Sequence, residues 1–127
     1  MVPALVFVLL TLQTGPRPTP SPTWTGGFAV YPGARRLCEG NDLGAPGSTP
    51  REISWTLYAT PDDPAVVVRF YRHARRRPTA PGTRTVTLEG TGDTRLGVHP
   101  VADSYPGCGV PPKPGDRTVI VVSQAMR

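Results

Sequence analysis

Apolar and polar residues alternate over Glu-Ile-Ser-Trp-Thr-Leu-Tyr-Ala-Thr, residues 52–60, with Ile53, Trp55, Leu57 and Ala59 on one side and Ser54, Thr56, Tyr58 and Thr60 on the other. A period of two over this length predicts a strand with one buried side. The pattern then changes. Thr60-Pro-Asp-Asp-Pro64 carries a helix start, with Asp63 as N-cap, Pro64 in the first helical position and acidic charge at the positive end of the helix dipole. Beyond it, Val66, Val67, Phe70, Tyr71 and Ala74 share one stripe at helical spacing, and Arg69, Arg72 and Arg76 share the opposite face. A helix is expected from Pro64 to Arg77, ended by Pro78 and the Thr-Ala-Pro-Gly run after it.

Two shorter alternations follow. Residues 83–88 place Val86 and Leu88 inward, residues 95–99 place Leu96 and Val98 inward, and Glu89-Gly-Thr-Gly-Asp-Thr between them predicts a hairpin turn. Pro100 to Asp116 holds five prolines and three glycines and reads as a long loop. Arg117 to Gln124 is apolar on both pleat faces at its centre, which places that strand in the middle of a sheet. Tyr31-Pro-Gly33 and Tyr105-Pro-Gly107 each put Pro and Gly in the central positions of a type II turn. The expected order is strand, strand, helix, then three strands. That is an α+β fold, with a single helix packed on one face of a mostly antiparallel sheet of four to five strands. Ser54, Thr56, Tyr58, Thr85 and Thr87 are expected on a second, solvent-exposed face.

Residues 1–12 form an apolar run of signal-peptide length, too short to span a bilayer. No basic residue precedes the run, and Thr11-Leu-Gln-Thr-Gly15 is a poor cleavage site. Gly15-Pro-Arg-Pro-Thr-Pro-Ser-Pro-Thr after it lacks the backbone donors to join a sheet and reads as an extended linker. The chain therefore divides into an expected signal peptide at 1–15, a Pro-rich linker at 16–27 and a small α+β domain at 28–127. With 127 residues, 17 Pro, 14 Gly and 38% hydrophobic residues, it has room for one small domain. A multidomain enzyme, a repeat solenoid and a polytopic membrane protein are excluded.

Tyr31-Pro-Gly-Ala34, a strand ending in Thr60-Pro-Asp62, the stretch Asp63-Pro-Ala-Val-Val-Val-Arg-Phe-Tyr-Arg72 and a terminal Val-Ile-Val-Val-Ser strand form a recognisable set. Over residues 28–127 the chain resembles a group of small exported bacterial proteins with a YPGA start and a D-x-P-x-x-V-x-x-F-Y-R helix. The resemblance implies architecture and export and supplies no catalytic residues.

The two cysteines, Cys38 and Cys108, lie far apart in loop-like settings, with no C-x-x-C pair of the kind a metal site would want. They suit one structural disulfide in an oxidising compartment, worth about 4 kcal/mol in the chain-entropy account. Two separate buried thiols are the other reading. The net charge is +5, and 13 of the 14 cations are Arg. A GC-rich genome writes such a bias, and so does selection for the guanidinium fork that grips phosphate or carboxylate.

No constellation points to catalysis. His73 reads as a surface residue on the flank of the arginine-rich helix, and Asp62 and Asp63 are explained by capping. His99 ends a strand with Asp103 nearby, which leaves an envelope enzyme or hydrolase accessory using that pair as the alternative function. Gly90-Thr-Gly92 lacks the following helix that a phosphate cradle needs, and the ligand types are too scattered for a metal. No cofactor is expected. The informative feature is the run of five Arg from Arg69 to Arg77 without an acid. Part of it answers the negative end of the helix dipole; Arg69, Arg72 and Arg76 form either a solvated face or a binding surface for an anionic envelope polymer, anionic lipid or another envelope protein. Nucleic acid is disfavoured by export and by the lack of an aromatic platform. A non-enzymatic, exported, periplasmic or secreted binding or structural module is the expectation.

Overall fold

Val119, Ile120, Val121 and Val122 are all buried. They form the middle of the sheet in the structure, a computed structural model that describes residues 22–42, 52–79 and 81–126. The expected signal peptide and the linker up to residue 21 lie outside the described residues. The elements are β1 (Arg35–Asp42), β2 (Glu52–Thr60), α1 (Pro64–Phe70), β3 (Arg75–Arg76), β4 (Val86–Glu89), β5 (Thr94–Pro100) and β6 (Thr118–Met126). One antiparallel sheet holds all six strands in the order β1-β2-β6-β5-β4-β3. The α+β class is as expected; the sheet has six strands instead of four to five because β3 is built from residues expected to be helical.

The helix is the main correction. Asp63 caps it as expected, its side chain accepting from Ala65 N at 2.9 Å, with Pro64 in the first turn. It stops at Phe70, however, and Arg75 and Arg76 pair with Glu89 and Leu88 of β4. A continued helix would crowd Arg72, Arg75, Arg76 and Arg77 within two turns with no acid among them. In the extended form Arg75 and Arg77 reach Glu89, at 3.6 and 3.8 Å, and Arg77, which precedes Pro78, avoids the helical conformation that the proline ring disfavours. The dipole argument for Arg75, Arg76 and Arg77 falls with it. The inward stripe shifts too: Val67 and Tyr71 are buried, while Val66 and Phe70 are 43% and 41% exposed. Tyr71 anchors the end of α1, donating its hydroxyl to Ala29 O at 2.6 Å.

The register divides the apolar residues between two faces. Leu57 pairs with Val121, and Val121 with Gly97, so Leu57, Val119 and Val121 share one face. Ile120 and Val122 pair with Val98 and Leu96 and, together with Leu88, point to the other face, under α1. β6 is apolar on both faces because it supplies both cores. The expectation of one wet face is thus corrected. Ser54, Thr56 and Tyr58 belong to the helix face, where the Trp24 ring stacks on Tyr58 at a centroid distance of 4.1 Å, while Thr87 belongs to the opposite face. Trp24 precedes the boundary at residue 28, so packing on the domain extends back into the segment read as linker.

The opposite face is covered by the Pro-rich loop. Val101, Tyr105 and Cys108 pack against Leu57, Val119 and Val121, and a disulfide joins Cys108 to Cys38 of β1 across a Cα–Cα distance of 6.0 Å. At the loop's far end the Asp116 carboxylate accepts from Arg35 of β1 at 2.5 Å and from Lys113 N at 2.8 Å. Gly40 lets the indole of Trp55 lie against β1, since a Cβ there would stand 2.5 Å from Nε1. The Tyr31–Ala34 turn closes through Ala34 N to Tyr31 O at 3.1 Å, with Gly33 at φ 76° as a type II turn requires. Gly107 has no positive φ, so the second Tyr-Pro-Gly does not repeat that turn.

Candidate functional site: an arginine-lined groove

The helix N-cap that sequence reasoning assigns to Asp63 starts a chain segment that packs α1 against β5. Beside this contact lies an open groove of about 1060 Å³. Val68 of α1, Val86 of β4, Val98 and Pro100 of β5 and Val101 after it form an apolar floor. Cations surround that floor. Arg69 comes from the last turn of α1, Arg72 from the turn that follows, Arg76 from β3, Arg84 from the approach to β4 and Arg117 from the approach to β6. Asp63 is the one carboxylate among the described lining residues, so five cations less one anion leave the lining at +4.

The arginines differ in what they already hold. Arg117 donates to Asp63 at 2.5 Å, and Arg84 reaches Asp103 at 3.4 Å while its backbone N–H donates to the same carboxylate at 3.2 Å. Arg69, Arg72 and Arg76 make no ion pair with the described residues. These are the three residues expected as a basic face, and the structure brings them to one groove, although only Arg69 stands on the helix. Arg84 and Arg117 escape sequence reasoning because they are isolated in the chain and reach the groove through strand pairing. Val86 and Val98 were legible as inward positions of a hairpin.

Three guanidiniums without counter-charges among the described residues, beside an apolar wall, can grip a phosphate or carboxylate in bidentate fashion, and the wall strengthens the attraction by excluding water from one side. The described lining contains no histidine, cysteine, serine or lysine that could serve as nucleophile or base. No cluster of three metal-ligating side chains occurs among the described residues.

His99 and Asp103 lie elsewhere and face different partners. His99 is on the loop face, with Nδ1 3.0 Å from Thr85 Oγ1 and its ring 6.0 Å from that of Tyr105. Burial pushes the imidazole below its ordinary value, against the opposing pull of the Asp103 charge. Asp103 accepts from Arg84, and no hydrogen bond joins it to His99 among the described residues. The trough beside His99, of about 420 Å³, is also lined by Trp55, Thr87 and Pro106. His73 is exposed in the turn after α1. Asp62 accepts a short hydrogen bond from the Tyr31 hydroxyl, which ties the Tyr31–Ala34 turn to the start of the helix. Burial, then that bond and the carboxylate charge, push the Tyr31 phenol up to about 12. No helix among the described residues is long and apolar enough to cross a membrane. No family model, curated protein or solved structure matches the chain.

Proposed function

We propose that this chain is a non-enzymatic, exported binding module of the cell envelope, which takes an anionic partner in the arginine-lined groove. The observation that carries the reading is the imbalance of the groove itself: five arginines against one carboxylate around an apolar floor, with three of the five free of ion pairs to described residues. A solvated face needs neither the convergence of four separate chain segments nor the floor. The Cys38–Cys108 disulfide and the leader-like N-terminus support export, as does the resemblance to small exported proteins. Nucleic acid fits less well, because no aromatic ring lines the described groove to stack on a base.

Retention on an anionic matrix tests the reading. The protein should bind a phosphate-bearing cation exchanger at low ionic strength and leave it as salt rises through the range where the Debye length falls below about 10 Å. The double substitution Arg69→Glu with Arg72→Glu should abolish retention while leaving the far-ultraviolet spectrum and the melting temperature unchanged. Equal retention of the charge-reversed protein would mean that the groove is only solvated surface.

A further inference from the structure

The floor of the groove says more about the ligand than its rim does. An acidic polymer or an inorganic anion gains from this wall only the exclusion of water on one side; a ligand with an apolar portion gains that and also buries the apolar residues themselves. Here the residues between the arginines are Val68, Val86, Val98, Pro100 and Val101, and none of them brings a side-chain donor or acceptor. Val98 and Pro100 are buried, and Val68, Val86 and Val101 are half-buried; Val68, Val86 and Val98 belong to the helix-face core, and Val101, at the edge of the groove, also packs on the loop-face core. The three arginines without ion pairs to described residues gather where α1, the turn after it and β3 meet. Arg117 and Arg84 are instead held by Asp63 and Asp103. A ligand that satisfies both halves is an amphiphile: a head with one to two negative charges and oxygen acceptors for guanidinium forks, and an apolar chain to cover the valines.

We infer that the groove binds a phosphate-bearing lipid, its phosphate on Arg69, Arg72 and Arg76 and the first part of its acyl chain along the half-buried Val68, Val86 and Val101. The inference rests on the anion-binding reading above and narrows it to one ligand class. A carboxylate head offers a single charge to three cations, whereas a phosphomonoester offers up to two and three acceptor oxygens. The chain contributes by leaving water: burying two methylenes alone accounts for a gain of about tenfold in affinity.

Calorimetric titration of the full chain, disulfide intact, tests this with three probes: dioctanoyl phosphatidic acid below its micellar concentration, glycerol 3-phosphate as the same head without chains, and inorganic polyphosphate. The lipid should bind at least about tenfold more tightly than glycerol 3-phosphate. Val86→Thr with Val101→Thr, nearly isosteric changes at half-buried positions, should shrink that ratio several-fold and leave the glycerol 3-phosphate affinity unaltered. Arg69→Glu with Arg72→Glu should remove binding of both. Equal affinity for lipid and glycerol 3-phosphate, a ratio indifferent to the threonine pair, or tighter binding of polyphosphate than of lipid would each overturn the lipid assignment while leaving the anion groove standing. Failure of the unaltered protein to bind any of the three probes would remove both.

Discussion

The two faces of the sheet are covered by different means. On the helix face, Phe28, Tyr31, Val67 and Tyr71 pack on Leu88, Leu96, Val98, Ile120 and Val122, a core made by regular elements and aromatic anchors. On the loop face, the buried core is Leu57, Val119 and Val121, covered by a segment with five prolines. Prolines cannot donate to a ladder, so this cover gains little from backbone pairing with the sheet and is held by side-chain ties. Two of these ties run to β1, Cys108 to Cys38 and Asp116 to Arg35, and a third joins Asp103 to Arg84 ahead of β4. A helix packs by burying its own stripe; an irregular strap, though here more than twice as long as the helix, needs covalent and ionic fastening.

The largest effect should come from cutting the strap. Cys38→Ser with Cys108→Ser, or reduction of the bridge, should lower unfolding stability by about 4 kcal/mol if the chain-entropy account holds. Denaturant melts with and without reductant measure it. The loss of amide protection should concentrate on the β1–β2 pairing and spare the pairing of β5 with β6. Next in size are core truncations. Leu96→Ala on the helix face should cost about 3 kcal/mol in both redox states, whereas Leu57→Ala should cost a similar amount only in the oxidised protein, because reduction has already loosened the cover over Leu57. Equal costs for Leu57→Ala in both states would erase the distinction between the faces.

The ionic tie comes third. Asp116→Asn removes a nearly buried carboxylate from Arg35 and Lys113 N, and should cost about 2 kcal/mol. Burial alone would raise this carboxyl's pKa, but the Arg35 guanidinium and the Lys113 amide outweigh it and hold the group below the ordinary carboxylate range. Its contribution is therefore fully present above that range and is lost as pH falls through the depressed value of the folded state. An acid titration of stability should show a step that Asp116→Asn lacks. The smallest effect is that of His99. Burial lowers its pKa, so the unfolded chain takes up a proton first, and stability declines as pH falls from about 6.5 toward the folded value. His99→Gln should flatten that shallow slope, on top of a pH-independent loss from the Thr85 hydrogen bond and the Tyr105 contact, so the change in slope is the readout.

Much of this architecture was legible in the chain. The β2 alternation, the Asp63-Pro64 helix start, the hairpin and the doubly apolar β6 are local patterns, and local patterns survive folding. Two features were not legible, for the same reason. The end of α1 depends on Glu89, which attracts Arg75 and Arg77 from a distant strand. The division of apolar residues between faces depends on the register between β6 and its neighbours, and a shift by one residue would reverse it. The site was half visible. Arg69, Arg72 and Arg76 stand close together in the sequence, but Arg84 and Arg117 join them only through the sheet, and no helical face could have predicted an apolar floor drawn from β4 and β5.

The most direct test of the account holds net charge fixed and moves its place. Arg69→Glu with Arg72→Glu takes the chain from +5 to +1, two reversals of two charges each, and Arg36→Glu with Arg95→Glu, at exposed positions away from the groove, takes it to the same +1. Retention of both on a phosphate-bearing matrix at equal ionic strength separates groove from bulk charge. The account predicts that the groove pair loses retention and the distant pair keeps most of it; equal loss in the two would contradict a binding site in the groove and leave only a basic protein.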